Sequence, residues 1–146
     1  MDYQLYGFKI GDGIHFDILH RRLYRLTGDL TDKSVAFASI YFNDTMMRLF
    51  LYLLQHGRGK VVPKEELFEK IWEEYNLSPS TQRLWQVLHN LNGKLKLLGL
   101  PDDFIINIKG RGYLINYQEV IPVYYRVSEL PPDFLKKKET LFALSE

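Results

Sequence analysis

The sequence predicts an α+β fold in which a small N-terminal antiparallel sheet precedes three helices and a closing β-hairpin. Three observations carry that prediction. The first forty residues alternate apolar and polar positions between glycine-containing turns, the signature of half-buried strands. Residues 44–98 instead space their leucines three and four apart, as helices do. Residues 104–116, FIINIKGRGYLIN, return to two short strand-forming runs around a pair of glycines.

A chain of 146 residues has the size of one domain and can bury about two-thirds of its unfolded surface. Its 46 % apolar and 14 % aromatic content suits a packed globule. The absence of cysteine excludes a disulfide framework and a thiolate metal site. The start, MDYQLYGFKIGDG, lacks the basic head and apolar core of a secretion signal. The longest unbroken apolar run, residues 49–54, is too short to cross a bilayer. These features predict a soluble, cytoplasmic chain.

The net charge of +1 supplies no global field for a polyanion, but its distribution is uneven. Residues 78–116 hold five cations and two anions, a local balance of +3, whereas residues 63–75 hold two cations and five glutamates, a balance of −3. Only the later segment is suited to face phosphate.

In FKIGDGIHFDILHRRLYRLTGD, Phe8 and Ile10 and then Ile14, Phe16 and Ile18 alternate, with GDG and TGD as turns. SVAFASIYF continues through Val35, Phe37 and Tyr41, giving three or four strands in all. Asn43 or Asp44 can cap the first helix, whose Leu49, Phe50, Leu53 and Leu54 keep helical spacing until Gly57 ends it. With Leu51 and Tyr52 filling its other sides, it reads as a central helix. Pro63 opens the second helix, whose stripe is Leu67, Phe68, Ile71, Trp72 and Tyr75 and whose acidic first turn suits the helix dipole. Ser78 as cap and Pro79 as first residue open the third, and Gly99 or Pro101 stops it. Leu84, Val87, Leu88, Leu91, Leu95 and Leu98 make its core face.

The opposite face of that third helix carries Gln82, Gln86, His89 and Gly93, flanked by Arg83, Trp85 and Asn90. It is either an ordinary solvated face or a face of planar groups able to read base edges. Arg111 at the hairpin tip is likewise either a solvated cation or a probe for a narrow, electronegative minor groove. KGRG is no phosphate-binding loop, because no helix N-terminus follows it. The second and third helices form a helix-turn-helix, and the flanking hairpin makes it a winged one. His15, His20, His56 and His89 lie on separate elements without metal-ligand spacing, so neither an enzyme nor a metal or other cofactor is expected. His20, beside Arg21 and Arg22, reads as a solvated strand end.

Over residues 8–115 the sequence resembles the OmpR/PhoB-type winged-helix DNA-binding domain, and within it the ToxR/CadC-like transcriptional regulators. FNDTMMRLFLYLL is similar to that family's first helix, "Lt.tE.rLL..Ll", and KVVPKEELFEKIW to its "rvvsreeLl..vW". RLWQVLHNL resembles its recognition helix through Leu84, Gln86, Leu88 and Leu91, and IKGRGYLI resembles its wing, "vrGrGYrl". The resemblance implies sequence-specific binding of double-stranded DNA. The recognition helix, about 79–97, would enter the major groove and the wing, 104–116, the minor groove. Gln82, Arg83, Trp85, Gln86, His89 and Asn90 would lie in or beside the major groove, with Trp85 at a thymine methyl or stacked on a sugar. Lys94 would be a further DNA contact, Lys109 a phosphate contact and Arg111 the wing arginine in the minor groove. The loop 73–80 would be the surface that touches RNA polymerase.

Three departures shape this expectation. Leu91-Asn92-Gly93-Lys94-Leu95 replaces the family's LRKKL-like run, Met46 its usual glutamate and Pro63 its usual serine cap. Each lost phosphate contact removes roughly one unit of counterion release, so the monomer should bind weakly, which points to a homodimer on paired sites, to a partner, or to lost DNA binding. The alternative is a winged helix used for protein contacts, anchored by Trp85 and Leu97. Residues 1–116 are expected to form the DNA-binding domain and 117–146 an extension or linker, with Tyr124 and Tyr125 packing. A receiver domain ahead of the sheet, and with it a phosphorylation switch, is not expected. The tail is either a linker leading to a membrane segment of a longer parent chain or a docking extension, and no membrane segment lies within these residues.

Overall fold

The computed structural model describes residues 2–27 and 36–130. Val35, the TGD turn at Gly28 and Asp29, and the tail after Leu130 lie outside them. The chain divides into two compact units, Met1–Tyr41 with Glu119–Glu146, and Phe42–Gln118.

The first unit is a five-stranded antiparallel sheet. Its strands are β1 (Tyr3–Ile10), β2 (Ile14–Asp17), β3 (Arg22–Thr27), β4 (Ala36–Tyr41) and β7 (Val120–Arg126), in the order β4-β3-β2-β1-β7. The predicted alternation sets one face: Phe8, Ile10, Ile14, Phe16 and Leu23 are all buried. β7 comes from the stretch read as an extension or linker, and its β-branched and aromatic residues suit a strand. It pairs with β1 from Tyr3↔Arg126 to Ile10↔Val120, with a bulge between Leu5 and Gly7. Pro122 is tolerated there because β7 is an edge strand and needs no donor on its outer side. The turn after β2 is closed by buried Asp17, which accepts from the His20 N–H at 3.1 Å and meets the His20 ring Nδ1 at 2.7 Å. His20 is therefore a turn clasp and not merely a solvated strand end.

The second unit holds the helices and the hairpin. Helix α1 (Asp44–His56) is capped by Asn43, whose side chain accepts from the Met46 N–H at 2.9 Å. Met46 is 3 % exposed, so this position belongs to the core. Helix α2 (Lys64–Leu67) starts after Pro63 as expected. It then widens into a π-helical turn, Phe68–Trp72, and tightens into a 3-10 turn, Glu73–Tyr75. Leu67, Ile71 and Trp72 are buried along it. Helix α3 (Thr81–Leu97) begins two residues later than the sequence suggested. Ser80, not Ser78, is its cap, and Ser80 Oγ accepts from the Arg83 N–H at 3.0 Å. The left-handed Asn76 (φ 59, ψ 33) turns the chain between the helices and leaves Ser78 and Pro79 in the connection. The helix closes with Gly99 and Leu100 N–H groups donating to the carbonyls of Lys96 and Leu95. Among the described residues no helix is long and apolar enough to cross a membrane.

A part-buried polar contact ties α1 to α2. The Tyr52 hydroxyl donates to Glu66 Oε2, and burial together with that carboxylate raises the phenol above its ordinary value of 10.0. Both states keep the phenol neutral below that value. Above it the unfolded chain ionises first, so stability falls as pH rises. Urea titrations at about pH 8 and about pH 11 should therefore show a loss that Tyr52→Phe makes smaller. An equal loss in the variant would assign the decline to other tyrosines.

Candidate nucleic-acid interface

The hairpin is built from β5 (Ile105–Ile108) and β6 (Gly112–Ile115), in register from Ile105↔Ile115 to Ile108↔Gly112. Its tip is Lys109-Gly110-Arg111, closed by the Arg111 N–H to the Ile108 carbonyl at 2.9 Å. The two glycines serve different ends. Gly110 takes φ +76 with open space around it, which lets the turn reverse. Gly112 takes φ +144, and a Cβ there would lie 2.1 Å from the Val62 carbonyl oxygen. The hairpin is thus seated on the α1–α2 loop. Val62 and Tyr113 exchange N–H to carbonyl bonds of 2.8 and 2.9 Å, and the Ile115 N–H reaches the Gly57 carbonyl at 2.7 Å. The tip cations project from a supported platform, and Lys109 and Arg111 are both exposed.

On α3, Leu84, Leu88, Leu91, Leu95 and Leu98 are buried, whereas Val87 is only partly so. Gln82, Arg83, Trp85, Gln86, His89 and Asn90 are all exposed, as the helical period required. Lys94 is half-buried. The indole of Trp85, 60 % exposed, lies parallel to the His89 ring, with centroids 4.9 Å apart and planes 8° from parallel. The Arg83 guanidinium turns back to the Ser78 carbonyl at 3.1 Å, which holds its charge at the helix start. Gln82, Gln86 and Asn90 form a polar stripe beside the aromatic pair.

Two cavities join this helix to the hairpin. One, of about 350 Å³, has Lys64, Glu65 and Thr81 on one side and Lys109, Arg111 and Tyr113 on the other. The second, of about 210 Å³, lies between the Trp85–His89 pair and the hairpin residues Asn107 and Tyr113. Burial raises the Tyr113 phenol above its ordinary value. Lys64, Thr81, Asn92, Asn107 and Tyr113 border these spaces, and sequence reasoning passed over them. Asn107 and Tyr113 are cross-strand partners, and that pairing could have been found by registering the hairpin on its glycines. Among the described residues no three His, Asp or Glu side chains gather as a metal-ligand set.

The model of the family described as "Transcriptional regulatory protein, C terminal" matches residues 38–115. Among solved structures, the DNA-binding domain of E. coli CadC has the same fold, with a TM-score of 0.59 at 18 % identity, covering 82 % of this chain and 98 % of that one. No curated protein matches the sequence. The expected winged helix-turn-helix, with its N-terminal sheet, three helices and hairpin wing, is the fold observed. With the family model covering more than half its length, the chain belongs to the OmpR/PhoB-type winged-helix DNA-binding domains of transcriptional regulators.

Proposed function

We propose that this chain binds double-stranded DNA sequence-specifically, with α3 in the major groove and the wing, residues 104–116, in the minor groove. The observation that carries the reading is the wing tip. Arg111 is exposed at a narrow two-glycine turn, on a hairpin that shares its cavities with the exposed face of α3. A narrow minor groove concentrates negative potential and draws in a guanidinium of this kind. Gln86, with Gln82 and Asn90 beside it, offers an amide able to pair bidentately with adenine. Arg83, Trp85 and His89 flank that groove, and Lys94 and Lys109 lie toward phosphate. The exposed turn 73–80, which includes Leu77, is the surface offered to RNA polymerase, and two copies occupy paired sites. Such a regulator works in the cytoplasm, alone or as part of a membrane-anchored chain.

Fluorescence anisotropy on AT-rich and GC-rich duplexes over a salt series tests the reading. Arg111→Ala should weaken binding to every sequence and reduce the slope of log affinity against log salt by about one. Gln86→Ala should instead cost about 1–3 kcal/mol of discrimination at one base position. Micromolar protein that binds neither duplex at low salt overturns the proposal.

A further inference from the structure

The groove-facing helix is poor in free cations. Arg83 is committed to the Ser78 carbonyl, Lys96 pairs with Asp102 at 3.4 Å, and Lys94 is half-buried. A DNA strand lying between α3 and the wing would meet something else, the cavity of about 210 Å³. Its lining contains no Lys, Arg, Asp or Glu. Leu88 and Ile105, each 6 % exposed, supply its apolar part. The stacked Trp85 and His89 rings border it on the helix side, and Asn107 and Tyr113 on the wing side. The rings are already parallel, and the backbone of Tyr113 is tied to Val62 by two hydrogen bonds, so little ordering remains to be done on binding.

We infer that this cleft is a seat, free of lysine and arginine, for one strand of the DNA backbone, in which the Trp85–His89 plate packs against deoxyribose while Asn92, Asn107 and Tyr113 hydrogen-bond the adjoining sugar and phosphate oxygens. The inference rests on the DNA-binding reading above and adds to it a kind of contact. Counterions are released when cations neutralise phosphates, so a seat of rings, amides and a phenol contributes affinity without contributing to the salt slope. In this chain it takes over part of the work of the missing basic residues of α3. It also assigns Trp85 to the backbone rather than to a base, which makes its contribution independent of sequence.

The test compares wild type, Trp85→Ala, Asn107→Ala and Arg111→Ala on two duplexes of different sequence across a salt series, read by anisotropy. Emission from buried Trp72 in the Trp85→Ala protein, with thermal melting of all four, establishes folding. Trp85→Ala should raise Kd roughly tenfold at every salt concentration on both duplexes, equivalent to about 55 Å² of lost apolar burial, with a line parallel to wild type. Asn107→Ala should shift the line the same way by roughly threefold, a typical neutral hydrogen bond. Arg111→Ala should give a shallower line. An unchanged Kd for folded Trp85→Ala, a slope that falls with it, or a loss confined to one duplex would overturn the seat while leaving DNA binding intact. Failure of wild type to bind either duplex would remove the DNA reading itself, and the seat with it.

Discussion

Gly112→Ala is expected to lift the wing from its seat and cost about 3–5 kcal/mol, placing it among the most damaging single substitutions. Two separate penalties add at this position. The backbone sits at φ +144, which an L side chain rarely adopts, and the new Cβ would stand 2.1 Å from the Val62 carbonyl oxygen and 2.9 Å from the Pro63 Cα. Both neighbours are backbone, so neither can swing aside. The Val62–Tyr113 hydrogen bonds would be broken to make room, leaving buried polar groups unpaired. Gly110→Ala is the internal control. It shares the tip and has a positive φ of +76, but nothing lies within 4 Å, so its cost should be only about 1 kcal/mol of backbone strain. Urea titrations of the two variants give the comparison. Equal losses would mean that the close approach to Val62 contributes nothing.

Phe104→Ala should cost a similar amount, about 3–5 kcal/mol, for a different reason. Phe104 is fully buried, and its ring lies 6.3 Å from Phe50 and 5.2 Å from Tyr117. Removing it opens a cavity at the foot of the wing, where its carbonyl also accepts the Asn116 N–H at 2.7 Å. The expected companion effect is faster hydrogen exchange at Ile115 and Asn116, because those amides open with the hairpin base. A loss below about 1 kcal/mol would show that the surrounding rings collapse into the space.

What was legible in the sequence depended on how local its cause was. The buried leucines of α3 and the exposed set around Gln86 follow from one helical period, and both fell where that period put them. The wing was legible because two glycines bracket a cation between strand-forming runs. The reason for the second glycine was only half visible, since the Val62 backbone comes from a loop fifty residues away. The choice of Ser80 over Ser78 as cap was invisible because both flank Pro79. The left-handed turn at Asn76 decides between them. The π-helical turn at Phe68–Trp72 escaped for a related reason, as Leu67, Ile71 and Trp72 satisfy the ordinary helical period equally well. The cleft between α3 and the wing needed both elements in place before its lining could be read at all.

The pairing of β7 with β1 has a consequence for the order in which the molecule is completed. Tyr3 meets Arg126, and the whole of Phe42–Gln118 lies between the two strands in the chain. A polypeptide leaves the ribosome N-terminus first, so the helices and the wing are synthesised before β7 exists. Until then β1 has only β2 beside it, and one row of its backbone donors and acceptors waits for the last strand. A contact of such long sequence separation is also among the slowest to form by diffusion. The helix-turn-helix is thus the earlier product of synthesis, and the sheet is closed only once residues 120–126 have followed it.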